Sequence, residues 1–193
     1  MHGALESKLR ECAGEGIPID SITFSGDGEP TLNPEFPQII DDTLALRDRY
    51  YPDAVVSVLT NATMTGRKEI FDALRKVDKP ILKLDAPTDE LARIINRPQG
   101  DYHVEDVVRN MAAFGGDFIL QTMFLRSPLF DTSSPEVLGP WMDIVRSLRP
   151  REIMVYTIDR PVPGEGLRKF TGEEMRALVQ PLVDEGFKIQ IKS

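Results

Sequence analysis

The sequence predicts an α/β fold built on parallel strands. Three observations carry that prediction. Apolar runs of strand length alternate with amphipathic helical patterns along the chain. Most of those runs are apolar at successive positions, as in Val55-Val56-Ser57-Val58-Leu59, which suits strands covered on both faces. Acidic and amide residues follow the strand ends, where ligands bind in parallel α/β sheets and barrels. Alternation of this kind implies right-handed βαβ units. A doubly wound sheet and an incomplete (β/α) barrel both satisfy it.

The elements follow in order. Residues 4–16 read as a helix, with Cys12 a small packing residue inside it. Ile22-Thr23-Phe24-Ser25 reads as a buried strand over 22–26. Phe36, Ile39, Ile40 and Leu44 give the next helix one apolar face. Strands are expected over 54–61 and 80–86. Val104, Val107, Val108 and Met111 repeat the i, i+3, i+4, i+7 spacing of a helix, and 117–126 reads as one strand. Val137, Leu138, Trp141, Ile144, Val145 and Leu148 give a further helix, which Pro140 is expected to kink or restart. A strand over 151–159 follows. Thr171 and Glu174 form a capping box ahead of Met175, Leu178, Val179 and Leu182, with Pro181 inside that helix. The last strand is 188–192. No linker, repeat or low-complexity tract interrupts this series, so residues 1–193 are expected to be one domain.

Composition narrows the function classes. A chain of 193 residues buries roughly 70% of its unfolded surface. The formal charge of −8 argues against non-specific nucleic-acid binding, which needs a basic surface. No apolar run approaches the roughly 20 residues that span a bilayer, and no membrane partner is expected. One cysteine allows no internal disulfide, which suits a cytoplasmic protein.

The candidate site residues sit after the strands. In Gly26-Asp27-Gly28-Glu29-Pro30, glycine permits positive φ and close approach of a ligand, and Glu29 is suited to a ligand ammonium group. A capping acid in a strand-to-helix connection explains the loop equally well. Asn61 closes "VLTNAT" and Asp85 closes "LKLDAP"; each suits ribose hydroxyls or, alternatively, a helix cap or Asx turn. Gln121 in an apolar strand needs a partner, either a ligand or a neighbouring backbone group. Thr157, Asp159 and Arg160 lie at another strand end, Asp159 and Arg160 more in the manner of a surface pair. Arg97 reads as a solvated loop arginine, and His2 and His103 have no metal-ligand spacing.

"ITFSGDGEPTLNP", "VLTNAT", "LKLDAP" with "INRP", and "RPREIMVYTIDRPVPGEG", in that order, resemble the radical S-adenosylmethionine superfamily, and nearest a subgroup with F-S-G-x-G-E-P-T-L and a later N-R-P. The resemblance implies a partial (β/α) barrel of parallel strands. It implies S-adenosylmethionine and a four-iron four-sulfur cluster, whose reduced form yields a 5′-deoxyadenosyl radical that takes hydrogen from a small-molecule, peptide or other substrate. By the same resemblance Gly28 and Glu29 match the position contacting the methionine amino group. Asn61 and Asp85 match positions near methionine and ribose. Gln121 matches a polar position on the fifth strand, and Thr157 lies near the adenine site.

One departure is large. The superfamily holds its cluster with C-x-x-x-C-x-x-C after its first strand, whereas this chain has only Cys12. The expectation is therefore a core lacking its first strand and cluster loop, inactive by itself, with an exposed edge at 22–26. That edge is expected to pair with a second copy or to be shielded by residues 1–16. The alternatives are a cluster-free module binding a nucleotide or amino acid, and a metal-independent barrel lyase with Lys83 as Schiff-base nucleophile.

Overall fold

The computed structural model describes residues 2–26, 28–158 and 166–192; Asp27, Asp159 and Arg160 lie outside the described residues. The elements are α1 (His2–Gly14), β1 (Ser21–Phe24), a 3-10 turn (Pro30–Leu32), α2 (Phe36–Tyr50), β2 (Val55–Thr60), α3 (Lys68–Leu74) and β3 (Lys79–Lys83). They continue with α4 (Asp89–Ile95), α5 (Val104–Ala112), β4 (Ile119–Met123), β5 (Leu125–Ser127), β6 (Phe130–Asp131), α6 (Pro135–Leu148), β7 (Glu152–Tyr156), β8 (Arg168–Lys169), α7 (Gly172–Asp184) and β9 (Ile189–Lys192). Six strands form one sheet in the order β1-β2-β3-β4-β7-β9. The pairs β1–β2, β4–β7 and β7–β9 are parallel. Sequential order of this kind belongs to an incomplete (β/α) barrel; a doubly wound sheet reverses its order partway. The chain divides within β3 into two compact units, Met1–Ile81 and Leu82–Ser193.

In the first unit, α2 packs against both α1 and α3. Phe36, Ile40 and Leu46 are the buried stripe of α2, and Leu9 and Cys12 are the buried residues of α1. The thiol is thus a packing group, as expected. Val56 and Val58 of β2 are completely buried. The Asp78 carboxylate accepts the Val56 N–H at 2.7 Å and Arg47 Nη1 at 2.9 Å, tying the start of β2 to α2. β1 is the edge expected at 22–26: it stands at the end of the strand order with β2 as its neighbour, so its four residues alternate between exposed and half-buried instead of being buried. Apolarity alone cannot distinguish an edge strand from a central one.

In the second unit, Phe124 meets Trp141 and Phe170 edge-on, with centroids 5.3 and 6.2 Å apart. The buried Trp141 indole donates to Thr122 Oγ1 at 3.1 Å, so the ring is both packed and satisfied. The single strand expected over 117–126 is two strands. β4 ends at Met123, and β5 turns away into a small antiparallel sheet of order β6-β5-β8. Thr132 fixes that departure, accepting the Leu125 N–H at 2.9 Å and donating to the Leu125 carbonyl at 3.1 Å. The restart expected as one outcome at Pro140 does not occur, since α6 runs unbroken from Pro135 to Leu148. At its sixth position the proline removes only the bond to the Glu136 carbonyl, in the exposed first turn, where water can replace it. α7 has the predicted capping box and also runs through Pro181. No described helix is long and apolar enough to cross a membrane.

Candidate functional site

The first constellation belongs to the first unit. Glu29 follows β1 and caps the 3-10 turn, accepting the Thr31 N–H at 3.1 Å. The same Oε1 accepts the hydroxyls of Thr31 and Thr60, each at 2.5 Å. Oε2 accepts the Asn61 N–H at 2.7 Å. One carboxylate therefore ties the loop after β1 to the end of β2. A carboxylate has about four acceptor places. With three donors on Oε1 and one on Oε2, a further donor is best accommodated at Oε2. The capping explanation of Glu29 is thus realised, and acceptor capacity for a ligand remains beside it.

Gly28 has φ 140°, a conformation that favours glycine. A Cβ there would meet nothing within 4 Å, so dihedral angle rather than crowding selects the residue. Asn61 Oδ1 accepts the Thr63 N–H at 3.0 Å and its hydroxyl at 2.7 Å. That is the expected Asx turn, and it leaves the exposed Asn61 amide nitrogen without a partner among the described residues. Gly28 and Glu29 also line a cavity of about 540 Å³ with Thr23, Phe24, Phe36 and Ile39.

The second constellation belongs to the second unit and centres on Asp85, just past the end of β3. Its side chain has 0% exposure and lies 2.8 Å from Lys83 Nζ. Asp85 Oδ2 accepts Asn96 Nδ2 at 2.6 Å, and Oδ1 accepts the Met123 N–H at 2.9 Å. Burial opposes the Lys83 charge, but Asp85 and a hydrogen bond to Tyr156 outweigh it, so Lys83 titrates above the ordinary lysine range. Burial, reinforced by the Asp85 charge, raises the phenols of Tyr156 and Tyr102. The result is a buried carboxylate closed in by an ammonium, an amide and a main-chain N–H, with two neutral phenols nearby.

Gln121 lies on β4 opposite Met154 of β7, and its carbonyl accepts the Leu84 N–H at 2.9 Å. Its half-buried side chain has no partner among the described residues. Thr157 is otherwise: its buried hydroxyl donates to the Phe124 carbonyl at 2.9 Å and accepts the Phe170 N–H at 3.2 Å. It joins β4 and β7 to the segment before α7 and has little left to offer a ligand. Arg97 is exposed, with φ 47°. Asn96, Tyr102 and Tyr156 escape sequence reasoning, although "INRP" and the polar end of "MVY" are visible signals.

Among the described residues, no three His, Cys, Asp or Glu side chains gather as a metal site. The thiol of Cys12 is in the α1 core. These residues do not fit a four-iron cluster, which takes three or four protein thiolates. In the first unit, Glu29 Oε2 keeps acceptor capacity and the Asn61 amide nitrogen keeps donor capacity.

The model of the Radical SAM superfamily matches residues 4–127. UPF0026 protein MJ1312 of Methanocaldococcus jannaschii is 28% identical over 147 residues, 74% of this chain and 43% of that protein. UPF0026 protein slr1464 of Synechocystis is 28% identical over 149 residues, 75% of this chain and 52% of that protein. A protein named GTPase Obg of Brachyspira hyodysenteriae is 26% identical over 172 residues, 87% of this chain and 24% of that protein. The chain thus spans about half or less of these curated relatives. It has no Gly-Lys dipeptide and so no G-x-x-x-x-G-K-[ST] phosphate loop. Among solved structures, a domain of pyruvate-formate lyase-activating enzyme from Bacteroides vulgatus has a TM-score of 0.65 at 19% identity, covering 89% of this chain and 98% of that one. SuiB of Streptococcus suis covers all of this chain and 42% of its own at 15% identity, with TM-scores of 0.70 bound to precursor peptide SuiA and 0.68 bound to S-adenosylmethionine. At such identities the likeness is one of fold.

Proposed function

The chain belongs to the radical SAM superfamily, and from that premise we propose that its strand-end residues form the S-adenosylmethionine site of a radical SAM enzyme core acting in the cytoplasm. The observation that carries this reading is Glu29. Four donors fix its carboxylate at the end of β2, with acceptor capacity left at Oε2 and the Asn61 amide beside it. In the proposed arrangement Glu29 and the Gly28 backbone take the methionine ammonium, and Asn61 donates to the methionine carboxylate or a ribose oxygen. Asp85 is too enclosed to take a ribose hydroxyl without displacing Asn96, so it acts by holding Lys83 and Asn96 in place. Gln121 offers its free amide to the ligand, and Thr157 shapes the adenine end through the backbone it joins. Bound S-adenosylmethionine supplies a sulfonium that reductive chemistry can cleave. The described residues do not hold the four-iron cluster of that chemistry, so we assign the chain a binding role and no radical step of its own. The substrate class of the proposed enzyme is a peptide or small molecule, a peptide being supported by the fold likeness to SuiB, which is bound to its precursor peptide.

The lyase reading fares worse on one observation. A Schiff-base nucleophile must be a neutral amine, whereas Asp85 and Tyr156 hold Lys83 charged. A cluster-free nucleotide module is separated by ligand choice. Saturation-transfer NMR on the chain with S-adenosylmethionine, adenosine and methionine is expected to favour the whole sulfonium compound over either half. Equal transfer to adenosine alone would favour the nucleotide module.

A further inference from the structure

Leu129 is the most exposed large apolar residue among those described, at 78%, and it is not loosely held. Ser127 Oγ accepts the N–H of Leu129 at 3.0 Å and of Phe130 at 3.2 Å, fixing the turn between β5 and β6 that presents it. Leu129 stands on the wall of a groove of about 280 Å³ within the second unit. Leu91 and Ile94 of α4 and Val137 of α6 supply its apolar surface. Glu90 and Glu136, in the first turns of the same two helices, line it too. Both are exposed, and neither makes an ion pair or hydrogen bond among the described residues. The neighbouring acids are engaged: Asp89, beside Glu90 in α4, by His103, and Asp131, also on the groove wall, by Arg126.

An apolar trough edged by two unneutralised carboxylates selects its occupant by charge. An acidic or purely apolar segment would leave the carboxylates uncompensated, and a purely basic one would leave Leu129 in water. We propose that this groove is a docking site for a peptide segment that pairs an aliphatic side chain with a flanking Lys or Arg. The aliphatic group packs between Leu91, Ile94 and Val137 and takes Leu129 against its other side; the cation is shared by Glu90 and Glu136. Pro87 and Thr88, two and three residues beyond Asp85 in the chain, line the groove as well. The proposal names a partner for the enzyme core proposed above, yet docking needs no cofactor, so its test stands or falls separately.

The test is fluorescence anisotropy of labelled short peptides, without S-adenosylmethionine. One peptide alternates Leu and Lys, a second alternates Leu and Glu, and a third alternates Ser and Lys. The Leu-Lys peptide is expected to bind at least about ten-fold more tightly than either of the others. Leu129→Asp and the double variant Glu90→Lys/Glu136→Lys are each expected to weaken it by about ten-fold or more. Glu173→Lys, a charge reversal outside the groove, should leave it unchanged, and circular dichroism verifies the fold of each variant. No binding of the Leu-Lys peptide, equal binding of the Leu-Glu or Ser-Lys peptide, or a loss with Glu173→Lys as large as with the groove variants would overturn the proposal.

Discussion

Lys83 and Asp85, two residues apart and on one side of β3's end, form an ion pair of 2.8 Å in which the carboxylate is wholly enclosed and the ammonium is 31% exposed. Asn96 and the Met123 N–H complete the carboxylate's coordination from two other segments. Such a pair organises its surroundings more than it adds stability, because desolvation offsets most of the attraction.

Removing one partner should therefore cost more than removing both. Asp85→Ala is expected to destabilise the chain by about 3 kcal/mol, since Lys83 is then left charged and half-buried. Lys83→Met combined with Asp85→Leu should cost clearly less than the sum of the single changes, in urea unfolding followed by circular dichroism. Additive costs would mean that the pair is not coupled. The Lys83 pKa is raised on folding, so its contribution is complete below the ordinary lysine value and is lost as pH rises through the higher folded one.

Glu29→Ala removes the acceptor of four hydrogen bonds in the first unit and should cost about 2 kcal/mol. The loss should be local. Hydrogen exchange is expected to accelerate at the Thr31 and Asn61 amides, which Glu29 now accepts. Unchanged protection at both would show that the loop after β1 is held by something else.

His103 Nδ1 lies 2.8 Å from Asp89 Oδ2, and Asp89 Oδ1 accepts the Val104 N–H at 2.7 Å, which clasps the start of α4 to that of α5. Its hydrogen bond with Asp89 and that carboxylate's charge raise the His103 pKa, with Asp101 and Asp106 adding to them. The Val104 N–H, then His103, lower that of Asp89. The signs define a window. Stability from His103 is complete below the ordinary histidine value and lost as pH rises through the raised one; that from Asp89 is present above the ordinary aspartate value and lost as pH falls through the lowered one. The clasp should be tightest between roughly pH 4 and 6. An NMR titration should give His103 a midpoint above that of a free imidazole, falling in Asp89→Asn; no difference between the two proteins would refute the clasp.

β1 has β2 as its one neighbour in the strand order, and its residues are exposed or half-buried. Bare edges of this kind pair with other strands. We expect concentration-dependent dimerisation in sedimentation velocity, reduced by Thr23→Pro, which removes a main-chain donor. A monomer at all concentrations would show that the edge is not used between copies.

Much of this architecture was legible because strands covered on both faces leave apolar runs, and helices leave a repeat of Val104, Val107 and Met111. Edge position leaves no such trace in the apolar pattern of Ile22 and Phe24; the edge at β1 was legible only through the resemblance, which implied a missing neighbouring strand. α4 went unread although Thr88 caps it and Asp89 and Glu90 fill its first turn. β5, β6 and β8 are two or three residues long, too short for any periodicity. At the site, Glu29, Asn61 and Asp85 were visible as polar punctuation after strands. What they do was not, because Thr60 lies 31 residues from Glu29, and Met123 lies 38 from Asp85.

Saturation-transfer NMR with S-adenosylmethionine tests the central claim most directly. The chain should show weak binding, with a Kd on the order of 1 mM and transfer to both the methionine and adenosine protons. Glu29→Gln, which keeps the shape of the side chain and removes its charge, should abolish transfer to the methionine protons while circular dichroism stays unchanged. Absence of transfer in the unaltered chain at millimolar ligand, or transfer to the methionine protons that survives Glu29→Gln undiminished, would contradict the account.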